Sequence, residues 1–68
     1  MPYAINRGEI IDLGGPHRVA SYNKATGRVT LMPVREEKDG TYVDDGDAVI
    51  RGAVLVEQHA RLLSRPVN

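Results

Sequence analysis

The chain has no cysteine, phenylalanine or tryptophan, and its only aromatic residues are three tyrosines. Without cysteine no disulfide can form, and a structural zinc ion would have only His17, His59 and carboxylates as ligands. The interior must therefore be built from eight Val, five Leu, four Ile, two Met, the alanines and some of the tyrosines. A chain of 68 residues buries a smaller share of its surface than a longer chain does. We therefore expect a single domain over residues 1–68 whose thin core is supported by self-association or by a partner protein.

Long apolar runs are also missing. None approaches the roughly 20 residues that a membrane-spanning helix needs. The opening residues, MPYAINRGEI, lack the charged head and apolar stretch of a secretion signal. We expect a cytoplasmic protein with no membrane partner.

The charge is zero in total but unevenly distributed along the chain. Residues 1–35 carry five basic and two acidic side chains, a net charge of +3, whereas residues 36–68 carry four basic and seven acidic ones, a net charge of −3. A neutral total argues against strong nonspecific binding to nucleic acid, which requires the neutralisation of many phosphates. The asymmetry is typical either of a plain solvated surface or of a subunit that is oriented against a charged neighbour.

Glycine and proline divide the first two thirds of the chain into short segments rich in β-branched residues, a pattern that predicts strands. We expect strands at 9–13, 17–23, 28–34 and 41–43. They are joined by the turn at Gly14 and Gly15, a hairpin loop and a charged loop, and an acidic turn follows at 44–47.

The last third is ambiguous because its apolar residues fit both a strand and a helix. Its β-branched density and Gly52 favour a strand to about Val56, followed by one helical turn at 57–60 and a short strand at 61–63. The alternative is a longer helix, with Asp47 as its N-cap, packed on a three-stranded sheet. Residues 64–68 are predicted to form a flexible tail.

This order of elements resembles the SH3-like small barrels, the group that includes KOW, Tudor and transposase-type barrel domains. The resemblance is carried by GEIIDLGGPHRVASYNKATGRVTLMPV and by GAVLVEQHARLL, and it is one of layout without a family motif. It implies a mainly β fold, a small SH3-like barrel of about five short strands with one helical turn near the C-terminus. Closing the sheet into a barrel would remove its exposed edges.

The hairpin SYNKATGRVTL has two alternative registers. A four-residue loop, 24–27, places Tyr22 opposite Val29 on the core face. A three-residue loop, 25–27, gives Gly27 a left-handed conformation, places Tyr22 opposite Thr30 and exposes its ring. We favour the three-residue loop because it gives Gly27 a position that needs glycine and places Val19 on the face of its apolar neighbours.

An exposed Tyr22 would complete a candidate binding surface. The surface consists of Arg18, Tyr22, Lys24, Arg28 and Thr30. An aromatic ring among cations can stack a base and hold phosphates, although many hairpins carry such residues without a ligand.

No pattern of catalytic or metal-binding residues is present. The acidic turn lacks the spacing of an EF-hand calcium loop, and no serine lies in a glycine elbow. Type II dihydrofolate reductases are similar in size and strand order, but AVLV stands here in place of their pore motif Val-Gln-Ile-Tyr. We therefore expect no enzyme activity, no cofactor, no metal and no small-molecule substrate.

The sequence thus predicts a noncatalytic interaction module that binds protein, either a second copy of itself or a larger partner. Free-standing modules of this size are frequent among accessory proteins of phages and mobile elements. The alternative is a nucleic-acid-binding module that uses the Tyr22 surface.

Overall fold

The computed structural model describes residues 2–66 and has a mainly β fold. In chain order its elements are β1 (Ile10–Asp12), β2 (Pro16–Asn23), β3 (Arg28–Glu36), β4 (Tyr42–Asp44), β5 (Val49–Gly52), α1 (Ala53–His59) and β6 (Arg61–Ser64). The predicted mainly β class is confirmed. The single helix before the short last strand has about two turns, whereas one turn was predicted. Within residues 2–66, no helix has the length and hydropathy needed to cross a membrane.

The strands form one antiparallel sheet in the order β4-β3-β2-β1-β6, and β5 also pairs with β3. Among the described residues no ladder joins β6 to β4 or β5, so the sheet is open. The predicted barrel would have closed the sheet and removed its exposed edges. The open sheet instead keeps one free edge at β6 and another along β4 and β5. The alternative of a three-stranded sheet with a long helix is wrong.

One edge of β3 is shared by two short strands. β5 pairs with residues Arg28 to Leu31, and β4 pairs with Val34 to Glu36. The gap between them falls at Pro33, which has no N–H to donate to a ladder. The Pro33 carbonyl still accepts a bond from the Asp45 N–H at 2.8 Å. Residues 45–48 connect β4 to β5 beside Pro33.

The core lies on one face of the sheet and is covered by α1. Its buried members are Ile11, Val19, Val29, Leu31, Ala53 and Val56. Half-buried Tyr3, Ile5 and Tyr22 are among the residues packed around them. Ile10 and Val34 are also buried but lie outside this cluster. The core is as small as the composition predicts.

The prediction that a strand extends to Val56 is wrong, because the strand ends at Gly52 and α1 begins at Ala53. Gly52 makes no side-chain capping bond, and the first turn has no acidic residue. The start of the helix is set by a tertiary contact instead, in which the Ala53 N–H donates to the Gly27 carbonyl at 2.7 Å. This bond satisfies one of the free N–H groups at the helix start, and it allows Ala53 and Val56 to enter the core.

Part of the predicted tail, 64–68, is packed against the first strand. Ser64 belongs to β6 and lies opposite Ile10, and the Arg65 side chain reaches Glu9. Residues 67 and 68 lie outside the described part of the chain.

Candidate functional site

The hairpin loop between β2 and β3 has four residues, 24–27, so the predicted three-residue loop is wrong. Asn23 lies opposite Arg28 and Tyr22 lies opposite Val29. The Gly27 N–H closes the loop by donating to the Asn23 carbonyl at 2.8 Å. Gly27 does adopt the expected left-handed conformation, with a φ of 70°. Lys24 consequently lies in the loop and does not face Arg28.

Asn23 explains why the longer loop is favoured. Its side-chain oxygen accepts hydrogen bonds from the backbone N–H groups of Ala25 at 3.0 Å and Thr26 at 3.3 Å. Asparagine commonly stabilises turns in this way. In the three-residue loop Lys24 would pair with Arg28. Asn23 would then lie one residue pair further from the loop, away from these two N–H donors.

A β-bulge at Ala20 allows Tyr22 and Val19 to face the core together. Ser21 pairs with Thr30, whereas Val19 pairs with Leu31, so Ala20 has no partner on β3. The extra residue reverses the alternation of faces, because successive side chains in a strand point to opposite sides. The sequence analysis treated Tyr22 and Val19 as alternatives, but the structure packs Val19 at 0% exposure and Tyr22 beside it.

The predicted binding surface is therefore not assembled. Tyr22 is half-buried on the core face, while Arg18, Arg28 and Thr30 lie on the opposite face. Arg18 forms an ion pair with Asp44. The arrangement that would stack a base between cations is absent from this hairpin.

A third cation, Arg51, lies at the hairpin end of the sheet, on the face opposite to that of Arg28 because it pairs with the buried Val29. Arg28 lies opposite Gly52, and Val29 lies opposite Arg51, at the end of the sheet where the hairpin loop also carries Lys24. We call Lys24, Arg28 and Arg51 the basic rim. Five ion pairs form among the described residues, and none of them includes a member of this rim.

Three large apolar side chains of β5 and α1 are exposed: Ile50 is 58% exposed, Val54 65% and Leu55 44%. Ile50 pairs with Thr30 and so lies on the face of the sheet opposite the core, whereas Val54 and Leu55 lie on α1, which covers the core face. We call Val54 and Leu55 the α1 surface. Leu63 on β6 is 40% exposed and is the other large apolar side chain that is open to solvent in the described chain. The sequence pattern could not reveal this surface, because Val54 and Leu55 look the same in sequence as the buried Val56.

A polar cluster around the buried Glu9 links the N-terminal segment to the residue after β6. Glu9 is only 5% exposed, and its carboxylate accepts a 2.6 Å hydrogen bond from the Tyr3 hydroxyl. Arg65 Nε lies 3.4 Å from the other carboxylate oxygen. Burial and the bond to Glu9 raise the pKa of Tyr3 from 10.0 to about 12. The cluster holds the N-terminal segment and the residues after β6 together, which is a structural role.

The remaining polar residues are distributed without a common centre. His17 Nδ1 lies 2.8 Å from the Gly15 carbonyl oxygen, and Asp45 pairs with Arg35. In the part of the chain that the structure describes, no three His, Asp or Glu side chains converge as a metal site would require. No pocket is formed by these residues either.

No protein-family model matches this chain, and no curated protein or solved structure shows significant similarity to it.

Proposed function

We propose that this chain is a noncatalytic protein-interaction module of the cytoplasm and that it binds through the elements β5, α1 and β6. One observation carries the proposal. The four exposed large apolar side chains of the described chain, Ile50, Val54, Leu55 and Leu63, all fall on these three consecutive elements. Single exposed apolar residues are ordinary on a protein surface, but Val54 and Leu55 are adjacent on one short helix, and adjacent exposed apolar residues are typical of an interaction site.

The small core adds to this argument. Of the four apolar side chains of α1, Ala53 and Val56 are buried in the core, whereas Val54 and Leu55 remain outside it. Covering Val54 and Leu55 with a partner would remove further apolar area from water, which stabilises a complex. Because this small domain buries few residues by itself, contact with a partner would add a large share to its total buried apolar area.

The open sheet also supports protein binding. One side of β6 pairs with β1, and no described strand pairs with its other side. A free edge offers unpaired N–H and C=O groups to another chain. At the β5 edge the Arg51 guanidinium donates to the Ile50 carbonyl at 3.0 Å, so the side chain partly covers this edge.

Site-specific photo-crosslinking tests the proposal. A photoreactive residue in place of Leu55 is expected to form one discrete adduct in the cells that produce the protein. The same residue in place of Lys38, in the turn between β3 and β4, is the matched control and is expected to form none. An adduct of twice the 7.5 kDa chain mass identifies a second copy as the partner, and another mass identifies a foreign protein.

Two controls make the result decisive. Val54→Glu, a change at an exposed position beside Leu55, should abolish the adduct without changing the circular dichroism spectrum of the chain. The proposal is contradicted if position 55 forms no adduct, or if positions 55 and 38 give the same pattern of adducts.

A further inference from the structure

Two aspartates of this chain, Asp39 and Asp45, are followed directly by glycine, and both pairs are exposed. The pair Asp39 and Gly40 lies in the turn between β3 and β4, and the pair Asp45 and Gly46 begins the connection between β4 and β5. An Asp-Gly pair can rearrange without an enzyme, because glycine has no side chain to keep its nitrogen away from the aspartate carboxyl carbon. The same reaction can therefore be compared at two sites of one molecule.

The reaction begins when the glycine nitrogen attacks Cγ of the preceding aspartate. A C–N bond forms, and the carboxyl hydroxyl leaves with the amide hydrogen as water, which gives a cyclic succinimide. Water then opens the ring. When it breaks the bond between the glycine nitrogen and the main-chain carbonyl carbon of the aspartate, the product is isoaspartate, whose main chain runs through Cβ and Cγ. The reaction thus requires a free glycine N–H and a neutral carboxyl group that can turn toward it.

At the pair Asp39 and Gly40 both requirements are opposed by hydrogen bonds. The Gly40 N–H donates to the Glu37 carbonyl at 3.0 Å. One oxygen of the Asp39 carboxylate accepts hydrogen bonds from the Thr41 hydroxyl at 2.6 Å and from the Thr41 N–H at 3.0 Å. These two bonds lower the pKa of Asp39, so a smaller fraction of this carboxyl group is neutral at a given pH. They also fix the orientation of the carboxylate.

At the pair Asp45 and Gly46 the same groups are much less constrained. No residue of the described chain accepts a hydrogen bond from the Gly46 N–H. Within residues 2–66 the Asp45 carboxylate is held by Arg35 alone, whose Nη1 lies 3.7 Å away, and both side chains are more than half exposed. Such an ion pair is weak, and Arg35 also pairs with Glu37 at 3.3 Å. The Asp45 carboxyl group can therefore turn toward the Gly46 nitrogen.

We infer that Asp45 is a site of spontaneous isomerisation to isoaspartate and that the fold protects Asp39, which stands in the same dipeptide. The inference concerns a chemical modification and does not depend on the proposed function. Isomerisation adds one carbon to the main chain of residues 45–48. This connection packs against Pro33, because the Asp45 N–H donates to the Pro33 carbonyl at 2.8 Å and a Cβ at Gly46 would lie 3.6 Å from the Pro33 side chain. The longer main chain would therefore alter the path of the chain into β5.

Prolonged incubation of the full chain near neutral pH, followed by peptide mapping, tests the inference. Trypsin cleaves after Lys38 and Arg51, so a single peptide, residues 39–51, contains both Asp-Gly pairs and they are recovered equally. Electron-transfer dissociation of this peptide distinguishes isoaspartate from aspartate at each position. We expect isoaspartate to accumulate at Asp45 at least about tenfold faster than at Asp39, a factor that one hydrogen bond to a charged group can supply.

The unfolded chain is the matched control. Guanidinium chloride removes the hydrogen bonds of the fold, and the two pairs should then isomerise at similar rates. In the folded chain, Thr41→Val should speed the reaction at Asp39 and leave the rate at Asp45 unchanged, because it removes one of the two donors to Asp39. Asp45→Glu should abolish the product at position 45.

Three results would overturn the inference. They are equal rates at the two sites in the folded chain, a faster reaction at Asp39, and the absence of isoaspartate at Asp45. A difference that persists unchanged in the unfolded chain would assign it to the flanking sequence and so contradict the protection of Asp39 by the fold. None of these results bears on the crosslinking from position 55, which tests the proposed function separately.

Discussion

The Tyr3 hydroxyl donates a 2.6 Å hydrogen bond to the buried carboxylate of Glu9. Tyr3 belongs to a segment without regular secondary structure, and its backbone N–H also donates to the Glu57 carbonyl in α1 at 2.9 Å. The N-terminal segment is thereby attached both to the residue before β1 and to the helix. This attachment covers one end of the core, because Tyr3 and Ile5 pack against it.

Removing the Tyr3 hydroxyl should therefore destabilise the fold. Tyr3→Phe keeps the ring but leaves the buried Glu9 carboxylate with one fewer donor, and the free energy of unfolding should fall by about 2 kcal/mol. Urea denaturation measures this change. Tyr42→Phe on β4 is the control, because the described structure gives the Tyr42 hydroxyl no bond, and equal stability of the two variants would contradict the role given to Glu9.

The ionisation of Tyr3 should be visible at high pH. Its pKa is raised from 10.0 to about 12, so between these values the hydroxyl ionises in the unfolded chain but stays protonated in the folded one. The free energy of unfolding should therefore fall as the pH rises through this window, and Tyr3→Phe should lack this part of the fall. The difference in phenolate absorbance between the wild type and Tyr3→Phe gives the Tyr3 titration directly. A midpoint near the ordinary value would show that the hydroxyl is not bound to Glu9.

The two faces of α1 provide a matched pair of substitutions. Val56 is fully buried and Val54 is 65% exposed, although they are the same residue type in the same helix. Val56→Ala should cost about 2 kcal/mol because it leaves a cavity under the helix. Val54→Ala should change the free energy of unfolding by less than about 0.5 kcal/mol. Similar losses in the two variants, measured by urea denaturation, would mean that the helix faces are assigned wrongly.

Gly27 is expected to be the more sensitive of two glycines at the same end of the sheet. A Cβ at Gly27 or at Gly52 would meet no atom within 4 Å, but only Gly27 has a left-handed φ, of 70°. Gly27→Ala should therefore destabilise the fold by about 1 kcal/mol, and Gly52→Ala by less. Thermal unfolding of both variants measures the difference, and the reverse order would argue against the left-handed conformation of Gly27.

The order of elements could be predicted because glycine, proline and β-branched residues mark strand boundaries locally. The start of α1 could not, since it depends on the carbonyl of Gly27, a residue distant in sequence. The hairpin register was predicted wrongly because the turn bonds of the Asn23 side chain were not considered, and because the bulge at Ala20, which no residue pattern signals, lets Tyr22 and Val19 share the core face. The α1 surface was missed for a related reason: only tertiary packing distinguishes exposed Val54 from buried Val56.

The central claim is that a partner protein binds at Val54 and Leu55, the exposed side chains of α1. Photo-crosslinking from positions 54 and 55, and from each of positions 37–40 as controls, tests it residue by residue. We predict that discrete adducts form from positions 54 and 55 and that none form from positions 37–40. Adducts from the turn at residues 37–40 instead, or the absence of any adduct from α1, would contradict the claim.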